Sequence, residues 1–325
     1  MGPRPDLEAI LFDEQIPFNQ RALHVFAYQR QACAPYQRFC DALGVGINDP
    51  SDWTEIPCMP VAAFKEVQVC TMPVNEQTLL FRSSATGLKR SRHWVLEPAL
   101  YRQSLLSGFV DVFGSGPFTM WTYLPGYQEN PDSSLIYMME ELLSSPYCAR
   151  ATRLPLDRAI PTQDLEAAAR ASHPLMVWGA AFGLLDLLDL GGPYALPEQT
   201  ILIETGGMKT RRRERSRDEL HQTLSEGFGV PRHRIYSEYG MAEMLSQAYL
   251  KSDFFELPHW CRVQEYKWYE TRHPLAFIDL ANLYSCSFLL IGDYGKVHSE
   301  RAFIVDGRID PTDYRGCNFL LERDG

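Results

Sequence analysis

Several features are scarce in this 325-residue chain, and each absence narrows the field. No stretch approaches about 18 consecutive apolar residues, so no membrane-spanning helix is expected. The segment Met1-Gly2-Pro3-Arg4-Pro5-Asp6 has no apolar run of the signal-peptide kind. Pro3, and the lack of Ser or Thr at position 6, do not suit myristoylation. None of the eight cysteines (Cys33, Cys40, Cys58, Cys70, Cys148, Cys261, Cys286, Cys317) forms a CxxC pair, which speaks against a zinc site. With no export signal, the expectation is reduced, mostly buried thiols in a cytoplasmic protein. Excess positive charge is lacking too: the net charge is −10, which excludes a broad nucleic-acid footprint. The one basic run, Arg211-Arg212-Arg213-Glu214-Arg215, reads as a solvated loop ahead of a helix. No Walker loop and no GxSxG nucleophile elbow occurs, so neither a P-loop NTPase nor a serine hydrolase is indicated.

What is present is the balance of an ordinary globular protein, 45% hydrophobic and 22% charged, with no internal repeat. Residues 1–55 carry helical patterning with aromatic anchors at Phe18, Phe26, Tyr28, Tyr36 and Phe39. From residue 118 short apolar runs alternate with helical stretches. Strands are predicted at Phe118–Leu124, Leu175–Trp178, Ile201–Glu204, Ile235–Ser237 and Phe288–Ile291, and helices at Ser134–Leu143 and near Phe182–Leu190. A further helix starts at Ser216, where Ser216 and Glu219 have capping-box spacing; Leu220, Leu224 and Phe228 line one face, and Gly227 or Gly229 can end it. This alternation predicts an α/β fold with mainly parallel sheets flanked by helices. Ligands then bind beyond the carboxyl ends of the strands.

Four strings carry candidate chemistry. Residues 81–93 (Phe81-Arg82-Ser83-Ser84-Ala85-Thr86-Gly87-Leu88-Lys89-Arg90-Ser91-Arg92-His93) collect hydroxyls, a glycine and cations able to wrap phosphate oxygens; a polar turn between strands is the plainer reading. Glu204-Thr205-Gly206-Gly207-Met208-Lys209 follows a strand, and its paired glycines let a flat ligand approach the backbone or simply make a turn. Tyr236-Ser237-Glu238-Tyr239-Gly240-Met241-Ala242-Glu243 sets two carboxylates and two rings after another strand, fit to stack a base and hold Mg²⁺, or to start a helix. Asp293, in Gly292-Asp293-Tyr294-Gly295, and Arg308, in Gly307-Arg308-Ile309-Asp310, could bind ribose hydroxyls or serve as turns.

The order of these strings resembles that of the acyl-adenylate-forming superfamily. Within it the chain is similar to the acyl-protein synthetase (LuxE-type) family. Ile56-Pro57-Cys58-Met59-Pro60-Val61-Ala62-Ala63-Phe64-Lys65 looks like that family's IPxxPVxxFK segment. Leu124-Pro125 with Ser133–Met138, Glu204–Lys209, Ser237–Gln247 and Arg315-Gly316-Cys317 look like later blocks. The resemblance spans about residues 50–320. It implies an adenylate-forming large N-terminal domain over residues 1–306, with residues 1–55 as its helical beginning. Residues 307–325 would be a hinge and short tail, with the C-terminal lid domain absent or vestigial.

By that resemblance Ser83, Ser84, Thr86, Gly87 and Lys89 cradle the phosphates of ATP. Gly206, Gly207 and Gly240 border the adenine, Tyr239 stacks on it, Glu243 holds Mg²⁺, and Asp293 and Arg308 bind ribose. His93 offsets charge near the substrate carboxylate or phosphate, or is a structural strand histidine. A carboxylic acid, a fatty acid among the candidates, attacks the α-phosphorus in line and expels pyrophosphate. The acyl group then passes to a thiol, with Cys317 beside Arg315 as the acceptor, or to an acyl-accepting protein or reductase partner. Two other outcomes stand beside this: a ligase acylating a small amine or thiol directly, and a degenerate nucleotide- or acyl-adenylate-binding relative acting as a non-catalytic subunit. Three departures motivate the latter. Ala85 replaces a glycine of the phosphate loop, Ala242 replaces the threonine of YGxTE, and the lid lysine has no counterpart.

Overall fold

The computed structural model describes residues 4–83, 89–124, 131–206, 216–250, 252–266 and 273–308. In chain order these form α1 (Arg4–Leu11), α2 (Phe18–Ala32), α3 (Ala34–Ala42), β1 (Met59–Pro60), α4 (Ala63–Glu66), β2 (Leu79–Arg82), β3 (Arg92–Val95) and α5 (Pro98–Phe113). There follow β4 (Phe118–Tyr123), α6 (Ser134–Leu143), β5 (Cys148–Arg153), α7 (Thr162–Ala169), β6 (Leu175–Ala180), α8 (Ala181–Gly191), β7 (Ile201–Thr205), α9 (Arg217–Phe228) and β8 (Ile235–Tyr239). The last strands are β9 (Ala248–Leu250), β10 (Phe255–Glu256), β11 (Cys261–Glu265), β12 (Pro274–Asp279), β13 (Phe288–Ser299) and β14 (Ala302–Arg308). Two compact units result. The first holds Met1–Gly108, Met241–Gln247 and Glu256–Gly325, the second Phe109–Gly240 and Ala248–Phe255.

The second unit is the strand–helix alternation predicted from the sequence. Its strands run β5-β4-β6-β7-β8, all parallel, with β9 antiparallel to β8. Strands β4 and β6 are buried on both faces, as continuous apolar runs in a covered parallel sheet require. Helix α9 is set by local chemistry. Ser216 accepts from the Glu219 amide while the Glu219 carboxylate accepts from the Ser216 amide, and Gly229 ends the helix at φ +67°. Its Leu220, Leu224 and Phe228 pack with Leu184, Leu185 and Leu187 of α8 and Val177 and Leu202 of the sheet into one core. Helix α6 starts on Ser133, whose hydroxyl accepts from the Ile136 amide.

The first unit is built differently. Its strands β11-β12-β13-β14 are antiparallel, and β1 runs parallel to β13. The mainly parallel expectation therefore holds in the second unit and not in this one. Short hairpin connections such as Glu300–Arg301 replace crossover helices here, and that forces antiparallel pairing. A second hairpin, β2-β3, carries Arg82 opposite Arg92 at its tip. The N-terminal helices dock through buried aromatics: the Phe26, Tyr36 and Phe288 rings lie 5.7–6.2 Å apart. Buried Gln29 satisfies both ends of its amide, donating to the Asn282 and Leu283 carbonyls and accepting from the Ser287 amide. This fixes the turn after β12.

Candidate active site

In the second unit the carboxyl ends of β7 and β8 meet in register, Thr205 opposite Glu238. The Thr205 hydroxyl donates to the Glu238 carboxylate, and both side chains are buried. Burial, then the neighbouring Glu204 charge, pushes the Glu238 carboxyl up to about 7, against the opposing Thr205 hydrogen bond. His221 of α9 places Nε2 3.0 Å from Ser237 Oγ and 3.7 Å from Glu204 Oε1. Both partners sit on one ring nitrogen, so the trio is not the relay of a hydrolase, in which the acid orients the opposite nitrogen. Arg217 stacks its guanidinium 4.7 Å from the Phe255 ring centre, with its charge near Glu204. Tyr239 packs against the same Phe255, the ring centres 5.5 Å apart. Gly206 ends β7 at φ +71°, a left-handed conformation that favours glycine. Gly240 is exposed directly after β8.

In the first unit Asp293 and Arg308 are cross-strand partners on β13 and β14, with Arg308 Nε 3.7 Å from Asp293 Oδ1. The pair sits beside a bulge between Tyr294 and Gly295. A Cβ on Gly295 would lie 1.8 Å from the Ile304 carbonyl oxygen, so only glycine fits. Glu243 is buried, and desolvation raises its carboxyl above the usual range. The Ser91 hydroxyl, its own backbone amide, and the charges of Arg308 and Lys65 pull the other way. The unit thus gathers Glu243, Arg308 and Asp293, to which the resemblance gives a single ligand. It adds Lys65, the last residue of the Ile56–Lys65 segment.

Lys89 forms an ion pair with Glu66 of α4, both side chains half-exposed. Ser83 is tied into the hairpin: its hydroxyl accepts from the Ser91 amide at 3.1 Å, and its carbonyl accepts from Arg90 Nε at 2.6 Å. His93 is fully buried, and burial lowers its pKa to about 4 despite the nearby Ala242 carbonyl and Asn282 side chain. It is therefore neutral near pH 7, and a neutral ring supplies no positive charge. Ser84, Thr86, Gly87, Gly207 and Cys317 lie outside the described residues.

Among the described residues no cluster of three or more His, Cys, Asp or Glu side chains forms a metal cage. The lone Glu243 carboxylate suits Mg²⁺ in one mode, an ion carried in on substrate phosphates. The seven described cysteines are unpaired, and five are buried. Burial pushes Cys33 and Cys40 to about 11 and Cys58 to about 12, so these are protonated, inert thiols. No helix among the described residues is long and apolar enough to cross a membrane.

No family model matches the chain, and no curated protein does. Solved structures do. ATP-bound MatB from Rhodopseudomonas palustris aligns with a TM-score of 0.50 at 14% identity, over 70% of this chain and 47% of that one. The amide bond synthetase McbA from Marinactinospora thermotolerans aligns at 0.46 and 16% identity, over 67% and 46% of the two chains. A long-chain-fatty-acid-CoA ligase from Archaeoglobus fulgidus aligns at 0.47 and 11%, over 76% and 54%. The chain thus spans about half the length of the solved structures it matches. The first alignment gives the chain the fold of part of that ATP-bound protein, an α/β arrangement with a large sheet flanked by helices.

Proposed function

We propose that the chain activates a carboxylic acid with ATP, forming an acyl-adenylate and pyrophosphate, as an acyl-protein synthetase-like ligase. The observation that carries this reading is the gathering of Glu243, Arg308 and Asp293 within one unit. The fold itself, shared with ATP-bound MatB, agrees with it. Glu243 would hold Mg²⁺, whose chemistry is to neutralise charge on the phosphates. Asp293, 20% exposed, accepts hydrogen bonds from sugar hydroxyls, with Arg308 holding its orientation. Lys65 adds positive charge on the side of Glu243. In the second unit Tyr239 offers a half-buried ring for stacking, and Gly206 permits close approach of a flat base.

The acid's oxygen attacks the α-phosphorus and the bond to the pyrophosphate oxygen breaks, so the mixed anhydride forms with no redox change. Transfer of the acyl group to the Cys317 thiolate, releasing AMP, is the second step of this reading. Carboxylate-dependent exchange of labelled pyrophosphate into ATP tests the first step across a panel of fatty, aromatic and amino acids. Exchange with at least one acid is expected, and none with any acid overturns the reading. Intact-mass analysis tests the second. An acyl adduct in the wild type that is missing from Cys317→Ser is expected; an adduct that survives the substitution removes Cys317 as acceptor.

A further inference from the structure

The first unit contains a small frame of hydrogen bonds around the Ala242–Glu243 peptide that neither substrate binding nor core packing accounts for. Two consecutive backbone carbonyls there are each held by a buried side chain. His93 Nδ1 lies 2.7 Å from the Ala242 carbonyl oxygen. Asn282 Nδ2 donates to the Glu243 carbonyl oxygen at 2.8 Å. Both side chains are fully buried. A carbonyl only accepts, so Nδ1 must carry the proton of the neutral ring, which leaves Nε2 a bare acceptor. The same logic fixes the Asn282 amide, since its nitrogen must face the Glu243 carbonyl and Oδ1 is left over.

Both leftover atoms, His93 Nε2 and Asn282 Oδ1, are buried without a hydrogen-bond partner. Both residues line one narrow, partly open cleft, together with Leu245 and Ser285. The two side chains are close enough to interact directly, so a second proton, on Nε2, would be held by Asn282 Oδ1.

The mounting behind this frame is rigid. Gln29 grips the Asn282 carbonyl at 2.8 Å. The Phe64 ring packs edge-on to His93 with centres 5.5 Å apart. On the far side of Glu243, buried Asp279 accepts from the Leu245 amide at 2.8 Å and the Ser246 hydroxyl at 2.7 Å.

We propose that His93 and Asn282 are positioning residues that clamp the Ala242–Glu243 peptide and so fix the Glu243 carboxylate for the metal-bound nucleotide. The metal arm of this inference rests on the functional reading above; the clamp itself does not. Groups behind a metal ligand typically matter ~10–100-fold for metal affinity. The test compares the full-length wild type with His93→Phe, Asn282→Leu and His93→Asn, the last of which keeps a donor where Nδ1 stood. Calorimetry measures ATP binding with and without Mg²⁺, and thermal melts check that each variant is folded. His93→Phe and Asn282→Leu should weaken Mg²⁺-dependent ATP binding ~10–100-fold and leave metal-free binding nearly unchanged, while His93→Asn recovers most of the loss. A purely structural role would lower both affinities together, and that result, or no change in folded variants, overturns the proposal.

Nitrogen-detected NMR of the wild type gives a readout independent of nucleotide. The Nδ1–H tautomer is expected at His93, and the Nε2–H tautomer overturns the clamp. If the wild type binds no ATP at all, the functional reading fails and the metal arm with it. The tautomer then decides the clamp alone.

Discussion

Replacing Glu238 by Gln should flatten the pH dependence of stability. Glu238 lies at the end of β8, 8% exposed, with its carboxyl raised from 4.5 to about 7 by burial and by Glu204. A raised acid binds its proton more tightly in the folded state. Its stabilising contribution is therefore complete below about pH 4.5, falls as pH rises, and is gone once pH passes about 7. At ~1.4 kcal/mol per unit of pKa, this amounts to about 3 kcal/mol. Gln has the same shape, cannot ionise, and still accepts from the Thr205 hydroxyl. Glu204, His221 and Arg217 stay in both proteins, so the difference between the two curves isolates Glu238. Urea unfolding from pH 4.5 to 8 provides the assay. The two proteins should match near pH 4.5, and Glu238→Gln should be the more stable by about 2–3 kcal/mol at pH 8. Equal slopes for the two proteins across that range would refute the argument.

Other substitutions probe the remaining features. Gly295→Ala drives a Cβ against the Ile304 carbonyl and should cost about 3 kcal/mol or more in urea unfolding. Ser246→Ala removes the hydroxyl that joins Asp279, Trp260 Nε1 and Ser104, and should cost about 1–3 kcal/mol by the same measurement. The Lys89–Glu66 pair is half-exposed, so Glu66→Ala should change stability by less than about 1 kcal/mol. Lys89→Ala, in contrast, should weaken ATP binding measured by calorimetry if Lys89 meets phosphate, and Glu66→Ala should not.

The second unit is legible in the sequence because its signals are local. Ser216 with Glu219 and Gly229 bound α9 at both ends, and Ser133 starts α6 where the sequence places it. Strands β4 and β6 follow the predicted runs because each is buried along its whole length, and β7 and β8 because each opens on apolar residues before its polar carboxyl end. The antiparallel β11-β12-β13-β14 strands are mostly not legible, the start of β13 excepted. Burial in β11 alternates over only five residues, and the pairing of β13 with β14 breaks at the Tyr294–Gly295 bulge. Candidate residues on strings are readable, since Glu243, Asp293 and Arg308 stand in polar, glycine-bearing runs beside apolar ones. Asp279, Asn282, Lys65 and the grouping of Glu204, His221 and Glu238 are not. Each gains its meaning from partners distant in sequence, as Asn282 does from Glu243 and Gln29. A reading of strand ends alone could have singled out Glu204, because an acid closing an apolar strand is unusual.

The division of the chain has a consequence for its synthesis. Strand β1 pairs with β13, Met59 opposite Leu289, so its partner leaves the ribosome about 230 residues later. At ~5–20 residues per second this is a wait on the order of ten to forty-five seconds. The residues of the second unit are complete by Phe255. They can close their own core while the N-terminal helices still lack the sheet they cover. During that interval Phe26 and Tyr36 lack Phe288, the ring on which both pack in the folded chain.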